Sequence, residues 1–253
     1  MKKIAFILLF FPFCIFAQIN ESDTSKFQSR TSLTGNWQGG NVEFLAFRAK
    51  IDISTKFFGQ LVFKTQNAYL YQEFFRQKAD EDIFSRNFVY VSPQNRFYAF
   101  GLAWISTNFR RKIDFRYFTG LGATYQLVQQ KNHVLKIAFS GVYEQSNFRT
   151  NTFNETFYNN SFQITTWRFS AWLFGKNHFM NDKLIFHYEA YLQPSLQRKD
   201  NFRWQTEIGF DAKIFKNIAF TTNFVYTYES VVAEKLKNED YMLSFGLSFY
   251  LKK

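Results

Sequence analysis

Few side chains in this sequence could do acid–base or nucleophilic chemistry. The chain has three histidines, His133, His178 and His187, and one cysteine, Cys14. A hydrolase that attacks an ester by serine chemistry needs a histidine within hydrogen-bond reach of the serine. His133 and His178 fall at short turns between strand-like segments, and His187 lies on the polar side of such a segment. This spacing predicts no catalytic residue.

Metal and phosphate chemistry have no better support. The His and Cys residues do not have the spacing of a zinc site. The pair Gly120-x-Gly122 lacks the helix that follows a phosphate-binding loop, and small residues inside a barrel explain it. We therefore expect no metal and no cofactor.

Charged residues at alternate positions are stronger candidates. Along 202–214, Arg203, Glu207, Asp211 and Lys213 share one parity, and the positions between them are mostly apolar. Successive side chains of a strand point to opposite faces, whereas a helix would scatter these charges around its axis. The same alternation gives the full set of candidates for a polar, inward face: Arg48, Lys50, Asp52, Lys64, Arg116, Lys136, Glu144, Arg168, His187, Glu189, Arg203, Glu207, Asp211 and Lys213.

Twelve segments separate into an apolar and a polar face in this way. The last is the clearest, with alternate apolar residues from Tyr241 to Leu251. Strands of soluble proteins average about 5–6 residues, whereas a tilted strand that crosses a membrane needs about 9–11. The predicted strands cover residues 29–38, 41–54, 59–72, 83–92, 97–108, 114–128, 133–146, 160–174, 183–194, 201–214, 218–229 and 240–251.

The connections between these segments alternate in length. Short turns are expected at 55–58, 93–96, 129–132, 175–182 and 215–217, and longer loops at 73–82, 109–113, 147–159, 195–200 and 230–239. Outer-membrane barrels have short periplasmic turns and longer outer loops. A lipid-facing Arg or Lys costs about 2–4 kcal/mol at the midplane, so the charged faces must point inward. The pattern predicts an all-β, transmembrane antiparallel up-and-down β-barrel of about 12 strands.

Two segments do not separate cleanly. In 97–104 both faces are apolar, and we assign the large side chains outward: Tyr98, Phe100, Leu102 and Trp104. The small side chains between them are assigned to a crowded lumen: Ala99, Gly101 and Ala103. In 162–174 the apolar phase shifts near Thr165 and Thr166, which predicts a β-bulge there.

The composition agrees with a membrane barrel. Aromatic residues make up 22% of the chain, with 36 phenylalanines, which excludes a disordered chain. A soluble β-sandwich or lipocalin-like barrel is the alternative architecture, but these apolar faces are wider than one interior holds. The only long apolar run lies at the N-terminus, which argues against a helical membrane protein.

The first residues have the form of a secretory signal peptide. Two lysines precede an apolar run over 4–16, and Ala17 is the small residue expected before a cleavage point. Cys14 would suggest a lipoprotein, but the bulky Phe13 before it disfavours lipidation. We predict a signal peptide over 1–17, a short N-terminal periplasmic segment over 18–28 and an outer-membrane β-barrel over 29–253. The cleaved protein would contain no cysteine, which suits export without disulfides.

The C-terminal strand adds independent support. The spacing Ser244-x-Gly246-x-x-Phe249-x-Leu251 resembles the signal that the outer-membrane assembly machinery reads in a last strand. Two lysines follow it in place of a terminal aromatic residue. We therefore expect this machinery to be a partner of the protein.

Five stretches carry a resemblance to a known family: Thr34–Asn41, Asp82–Arg86, Phe97–Gly101, Ile113–Tyr117 and Gly120–Tyr125. They resemble a bacterial family known as Domain of Unknown Function 481, which includes proteins described as salt-induced outer-membrane proteins. The resemblance covers most of the mature chain and is best over 30–145. It implies an outer-membrane barrel and supplies no reaction, substrate or catalytic residue.

Two classes of function remain open. A non-enzymatic barrel would be either a narrow channel for small anionic solutes, such as acidic sugars, or a structural or stress-related barrel whose lumen charges pair and plug it. The alternative is an outer-membrane lipid-modifying enzyme of the phospholipase kind. Basic residues outnumber acidic ones among the lumen candidates, but the mixture of signs suits a plug as well as a pore.

The formal net charge of +11 bears on partners. Export makes nucleic acid an unexpected partner, and outer-membrane lipids with anionic headgroups are a better one. Cations on outer loops could pair with lipopolysaccharide phosphates, since Arg and Lys bind phosphate elsewhere. The candidates for lipopolysaccharide contact are Arg110, Arg111, Lys112, Arg198 and Lys199.

Overall fold

The computed structural model of the protein describes residues 19–253, so the predicted signal peptide lies outside the described residues. The first six strands are β1 (Phe27–Gln38), β2 (Phe44–Phe57), β3 (Leu61–Phe74), β4 (Gln77–Val91), β5 (Phe97–Asn108) and β6 (Ile113–Gln129). The other six are β7 (His133–Phe148), β8 (Gln163–Phe179), β9 (Leu184–Pro194), β10 (Phe202–Phe215), β11 (Ile218–Glu229) and β12 (Glu239–Lys252). A single 3₁₀ turn, Thr156–Tyr158, lies between β7 and β8 in the described part of the chain.

Each strand pairs antiparallel with its neighbours in sequence, and β1 pairs with β12 to close the barrel. The closing register matches Ser29 with Leu251 and Thr34 with Gly246. The predicted twelve-stranded antiparallel barrel is therefore confirmed. In residues 19–253, no helix has both the length and the apolar character needed to cross a membrane.

The alternation of side chains decides which face is which. On β7, Lys136, Ser140 and Glu144 are buried inside the barrel, while Phe139 between them is exposed on the outside. On β12, every second residue from Tyr241 to Leu251 is apolar and exposed, whereas Tyr250 is buried inside. Charged faces thus line the interior and apolar faces surround it, as the sequence predicts.

The assignment of β5 is wrong. Its large side chains are almost completely buried inside the barrel: Tyr98, Phe100, Leu102 and Trp104. The small residues between them face outward instead: Ala99, Gly101 and Ala103. The reason is volume: Gly120 and Gly122 on the paired strand β6 face inward, and the Phe100 ring fills the space that a side chain at Gly122 would occupy.

The predicted bulge in β8 is also wrong. The register between β7 and β8 is continuous from His133 opposite Asn177 to Asn147 opposite Gln163. Ile164 points inward, so the strand keeps one phase throughout. The sequence suggests a shift only because Ile164 is an apolar residue on the inner, otherwise polar face. It is apolar there because it packs under the loops that cover the barrel mouth.

Two connections differ from their predicted lengths. The expected long loop at 73–82 is a tight turn, because Phe75 and Arg76 adopt left-handed backbone angles (φ 49° and 60°) and let β4 begin at Gln77. The expected turn at 175–182 is shorter, because β8 continues to Phe179. The remaining long loops lie at the end of the barrel opposite both chain termini.

Candidate functional site in the barrel lumen

Ion pairs cross the middle of the lumen. Lys50 on β2 bonds Glu207 on β10 with an Nζ–Oε1 distance of 2.9 Å, and Arg86 on β4 pairs with Glu189 on β9 at 2.6 Å. Arg86 also donates a hydrogen bond from Nε to Gln66 at 2.9 Å. Strands β4 and β9 are five steps apart around the barrel, so their pair spans most of its width. These side chains divide the lumen.

Two cavities lie on either side of this partition, and Lys50, Gln66 and Glu207 line both of them. The cavity that we call the loop-end cavity measures about 200 Å³ and reaches the loops around Asn108 and Asp240. The other, which we call the N-terminal cavity, measures about 130 Å³ and is lined by residues 19–21.

The loop-end cavity carries more positive than negative charge. Its basic lining residues are Arg48, Lys50, Arg86, Arg110, Arg111, Arg116 and Arg203. Its acidic lining residues are Asp82, Glu207, Glu229 and Asp240. Within residues 19–253, Arg48 Nη1, Arg111 Nη1 and Arg203 Nη2 are buried nitrogen atoms without a hydrogen-bond acceptor. Buried donors normally have a hydrogen-bond acceptor. These three nitrogens could therefore donate to an acceptor that enters the cavity.

Below the loops, Glu144 forms ion pairs with three arginines. Arg168 donates to its carboxylate in a short bond, Arg116 lies 3.3 Å away and Arg203 lies 3.4 Å away. Arg116 also forms two parallel hydrogen bonds to Glu229, at 2.8 and 3.0 Å. A buried carboxylate needs such partners, because burial without them costs several kcal/mol.

A third charged cluster surrounds Asp211 nearer the chain termini. Arg30 Nη2 donates to Asp211 at 2.9 Å, and the Tyr250 hydroxyl donates to it at 2.6 Å. His187 Nε2 lies 3.4 Å from the same carboxylate, and Arg30 Nη1 is 4.0 Å from Asp52. The Asp211 side chain thus connects its own strand, β10, with β1, β9 and β12.

Aromatic side chains fill one side of the lumen, which we call the aromatic wall. Its members are Phe88, Tyr90, Tyr98, Phe100, Trp104, Phe118, Trp172 and Tyr191. The ring centroids of Trp104 and Phe118 are 4.8 Å apart, and those of Trp172 and Tyr191 are also 4.8 Å apart. The guanidinium of Arg203 lies over Phe118 at 4.2 Å from the centroid, a cation–π geometry. The opposite polar wall is formed by the inward residues of β1, β2, β10, β11 and β12.

The N-terminal segment, residues 19–26, enters the N-terminal cavity. Glu21 accepts hydrogen bonds from Lys136 Nζ (2.8 Å), Lys64 Nζ (3.2 Å) and the Tyr98 hydroxyl (2.9 Å). Burial raises the pKa of Glu21, but the charges of Lys136 and Lys64 outweigh burial and hold this pKa well below its usual range. The strand β1 begins at Phe27, so the barrel starts two residues before the predicted boundary.

The loops that follow β7 and β11 pack together over part of the mouth. Phe153 forms an isolated bridge with Ala233, and the Asn154 side chain bonds the backbone of Ser230 and Val232. These loops bury an apolar cluster: Ile113, Phe148, Phe153, Ile164 and Val231. They leave the loop-end cavity beside Asn108 and Asp240.

Two of the candidates for lipopolysaccharide contact, Arg110 and Arg111, lie beside the loop-end cavity. Arg111 is buried, and its guanidinium donates to Asp240 at 2.8 Å inside the mouth. Arg110 pairs with Asp80 at 2.7 Å and lines the same cavity. Arg111 is thus enclosed in the barrel mouth, whereas the Arg110 side chain remains 41% exposed beside it.

The predicted lumen residues point inward and fall into the clusters described above. Arg48, Lys50, Arg116, Arg203 and Glu207 line the loop-end cavity, whereas Asp52, Lys64, Lys136, His187 and Glu189 line the N-terminal one. Arg168 and Glu144 meet below the loops, and Asp211 anchors its own cluster. Lys213 lies near the terminal end with its Nζ buried and without a hydrogen-bond partner in residues 19–253.

Four important lumen residues escaped the sequence reasoning. Arg30, Arg86 and Glu229 share the inward parity of their strands, so extending the alternation to these strands would have found them. Glu21 precedes the first strand, and no periodicity signals its position.

The histidines lie apart from one another. His133 Nδ1 is 3.0 Å from Asn177 Oδ1, and His178 Nδ1 is 2.7 Å from Asp182, both at the terminal end of the barrel. In residues 19–253, no group of three or more His, Cys, Asp and Glu side chains has the geometry of a metal site.

Comparison with known proteins agrees with this fold. The model of a family described as "Protein of unknown function, DUF481" matches residues 21–250. The NanC porin structure superposes with a TM-score of 0.53 at 11% identity, covering 89% of this chain and 100% of that one. The translocator domain of autotransporter NalP from Neisseria meningitidis has a TM-score of 0.50 at 12% identity, covering 90% of this chain and 89% of that one. No curated protein matches the sequence.

Proposed function

This chain belongs to the family described as "Protein of unknown function, DUF481", and we propose that it is a non-enzymatic outer-membrane β-barrel that acts as a narrow, anion-preferring channel. The observation that carries the proposal is the loop-end cavity, where basic side chains outnumber acidic ones and three buried guanidinium nitrogens lack acceptors among residues 19–253. A cleft lined by one sign of charge concentrates ions of the opposite sign.

The dimensions of the lumen favour small solutes. The loop-end cavity of about 200 Å³ has room for a small organic acid. Beyond it, the Lys50–Glu207 and Arg86–Glu189 pairs occupy the middle of the barrel. A solute must displace or rotate these side chains to pass, so we expect a low conductance.

A structural barrel is the second candidate, and the same crossing pairs favour it. If they stay closed, the charges serve only to fill and stiffen the lumen. Lipid-modifying chemistry has less support, because His187 contacts Asp211 in the lumen and the other two histidines lie at the terminal end. We therefore retain a non-enzymatic role.

The proposed setting is the bacterial outer membrane, after export and cleavage behind Ala17 and folding by the assembly machinery that reads β12. For lipopolysaccharide phosphates, Lys112 and Lys199 remain candidates, since both are exposed on outer loops. Arg110, which is also exposed, pairs with Asp80 at 2.7 Å, and Arg198 pairs with Asp200 at 2.6 Å, so these two are weaker candidates.

Efflux from vesicles tests the channel directly. Proteoliposomes are loaded with labelled gluconate, an impermeant anion, or labelled choline, a cation of similar size. We expect gluconate to leave faster than choline, and Arg48→Gln to reduce the difference because it removes a cavity charge with a free Nη1. Lys131→Gln changes the same charge on an exposed turn and is the matched control. If gluconate and choline leave no faster than they leave protein-free vesicles, the result favours the structural barrel.

A further inference from the structure

The contacts of Glu21 outline a binding site for a carboxylate. Two lysine Nζ atoms and one phenol hydroxyl converge on its two oxygens, at 2.8 Å from Lys136, 3.2 Å from Lys64 and 2.9 Å from Tyr98. Lys136 is almost completely buried. Charge-assisted bonds of this kind are the strong ones in proteins.

The walls of this site belong to the barrel, and only its occupant belongs to the N-terminal segment. Lys64, Tyr98 and Lys136 lie on β3, β5 and β7, which are fixed by strand pairing. All three hydrogen bonds that Lys136 Nζ makes within residues 19–253 end on the segment, at Asn20, Glu21 and Ser22. If the segment withdrew, a buried ammonium would need another anion.

Other contacts also hold the segment. Lys56 N donates to the Lys26 carbonyl oxygen at 2.9 Å, and Lys56 Nζ donates to the Thr24 carbonyl oxygen at 2.8 Å. Asn20 exchanges two hydrogen bonds with the Gln28 side chain, at 3.2 and 3.1 Å, and Asp23 pairs with Lys252 at 2.6 Å. Residues 19–26 belong to no strand ladder of the barrel. Withdrawal of residues 19–23 therefore breaks contacts made with side chains and removes no residue from the strand pairing of β1, which begins at Phe27.

We propose that Lys64, Lys136 and Tyr98 form a carboxylate-binding site of the lumen, and that Glu21 occupies it as an internal competitor of carboxylate solutes. This inference rests on the proposed channel function, because it names the chemical class of solute and the device that blocks its path. A bound carboxylate and the docked segment exclude each other, so solute entry releases the segment.

The neighbourhood of the site narrows the class of solute. Phe88, Tyr90, Phe100 and Trp172 line the same cavity. A carboxylate with an apolar or aromatic body can place its charge between the two lysines and its body against these rings. Benzoate is the simplest probe with both features.

Benzoate binding to the purified full-length protein in detergent tests the site by titration calorimetry. We expect Glu21→Ala and Glu21→Lys to bind benzoate at least tenfold more tightly than the wild type, because each removes the competitor. Adding Lys136→Gln to Glu21→Ala should abolish the gain. Glu43→Ala removes an exposed carboxylate that pairs with Arg76 and should leave binding unchanged. Circular dichroism confirms that each variant keeps its strands.

Equal benzoate affinity in the wild type and both Glu21 variants would overturn the proposal, and so would tight binding that survives Lys136→Gln. Channel activity is read separately. Single-channel conductance in planar bilayers should rise severalfold in Glu21→Ala. If no variant conducts while the benzoate results hold, the channel function fails and the carboxylate site stands.

Discussion

The two walls of the lumen differ in how their side chains are stabilised. The aromatic wall, on β4–β6, β8 and β9, fills space with rings that need few hydrogen bonds. The polar wall on β1, β2 and β10–β12 fills less space and carries charges that need partners, such as Arg30 and Asp211. Bulk on one side therefore confines the open volume to the space between the rings and the charges of the polar wall.

Arginines connect the two walls. Arg203 on the polar wall lies over Phe118, and Arg86 beside the aromatic wall lies over Trp172 at 5.2 Å from the centroid. Each guanidinium thus uses a ring face and a carboxylate at once. The rings hold the cations in place, and the carboxylates determine how much positive charge remains for a solute.

Glu144→Gln should cause the largest loss of stability, because it sits where Arg116, Arg168 and Arg203 meet. Breaking a buried ion pair costs about 3–5 kcal/mol, and here three cations lose their shared partner. Urea unfolding in lipid vesicles measures the change. Glu43→Gln, in an exposed pair, should cost under about 1 kcal/mol. Equal losses would show that Glu144 is well hydrated.

Trp104→Ala tests the aromatic wall in the same assay. Trp104 packs against Phe118, Trp172 and Tyr191, and truncating a buried Trp costs about 3–5 kcal/mol. Trp37→Ala is the control, since that ring is 78% exposed. A Trp104 variant as stable as the Trp37 variant would mean that the rings do not support the barrel.

Substitutions at Gly122 and Gly209 compare how tightly the two walls are packed. A Cβ at Gly122 would lie 2.5 Å from both the Phe100 ring and the backbone oxygen of Phe139, so Gly122→Ala should cost about 1–3 kcal/mol. For a Cβ at Gly209, the three nearest atoms all belong to the His187 ring, the nearest at 2.2 Å. That side chain can rotate into the N-terminal cavity, so Gly209→Ala should cost less than Gly122→Ala. The reverse order would contradict the different packing of the walls.

Acidification between about pH 7 and 5 should have the smallest effect of all, because it should leave the docking of the N-terminal segment through Glu21 unchanged. Glu21 faces Lys64, Lys136, Tyr98 and Tyr90, and the lysines lower its pKa despite burial. A lowered pKa means that docking is fully stabilised above the usual glutamate pKa of about 4.3 and weakens as the pH falls through the lowered value.

Single-channel recordings at different pH values measure this effect. Wild-type conductance should stay constant from about pH 7 to 5 and rise only below about 4, while Glu21→Ala shows no such rise. A wild-type rise near pH 6 would point to a histidine instead of Glu21.

The sequence predicts the barrel because, on most strands, the charged residues fall at alternate positions and so mark one face. Along β10, Arg203 and Asp211 mark the inner face without ambiguity. Along β5 no charge marks either face, and the choice depends on volume across the lumen, which a single strand does not contain. Phe100 could be placed only from Gly122 on the neighbouring strand.

The site is predictable in part for a related reason. Alternation finds side chains that point inward, such as Lys50 and Glu207, but it does not say which of them meet. That depends on closure, which brings β2 and β10 together. Glu21 is not predictable in this way, because it precedes the first strand in a segment without a periodic pattern.

The reversal potential of single channels in a potassium chloride gradient tests the anion preference of the lumen most directly. The basic loop-end cavity predicts discrete, small conductance steps and a reversal potential shifted toward the chloride equilibrium potential. A reversal potential shifted toward potassium, or a barrel inserted in the bilayer without any conductance steps, would contradict it.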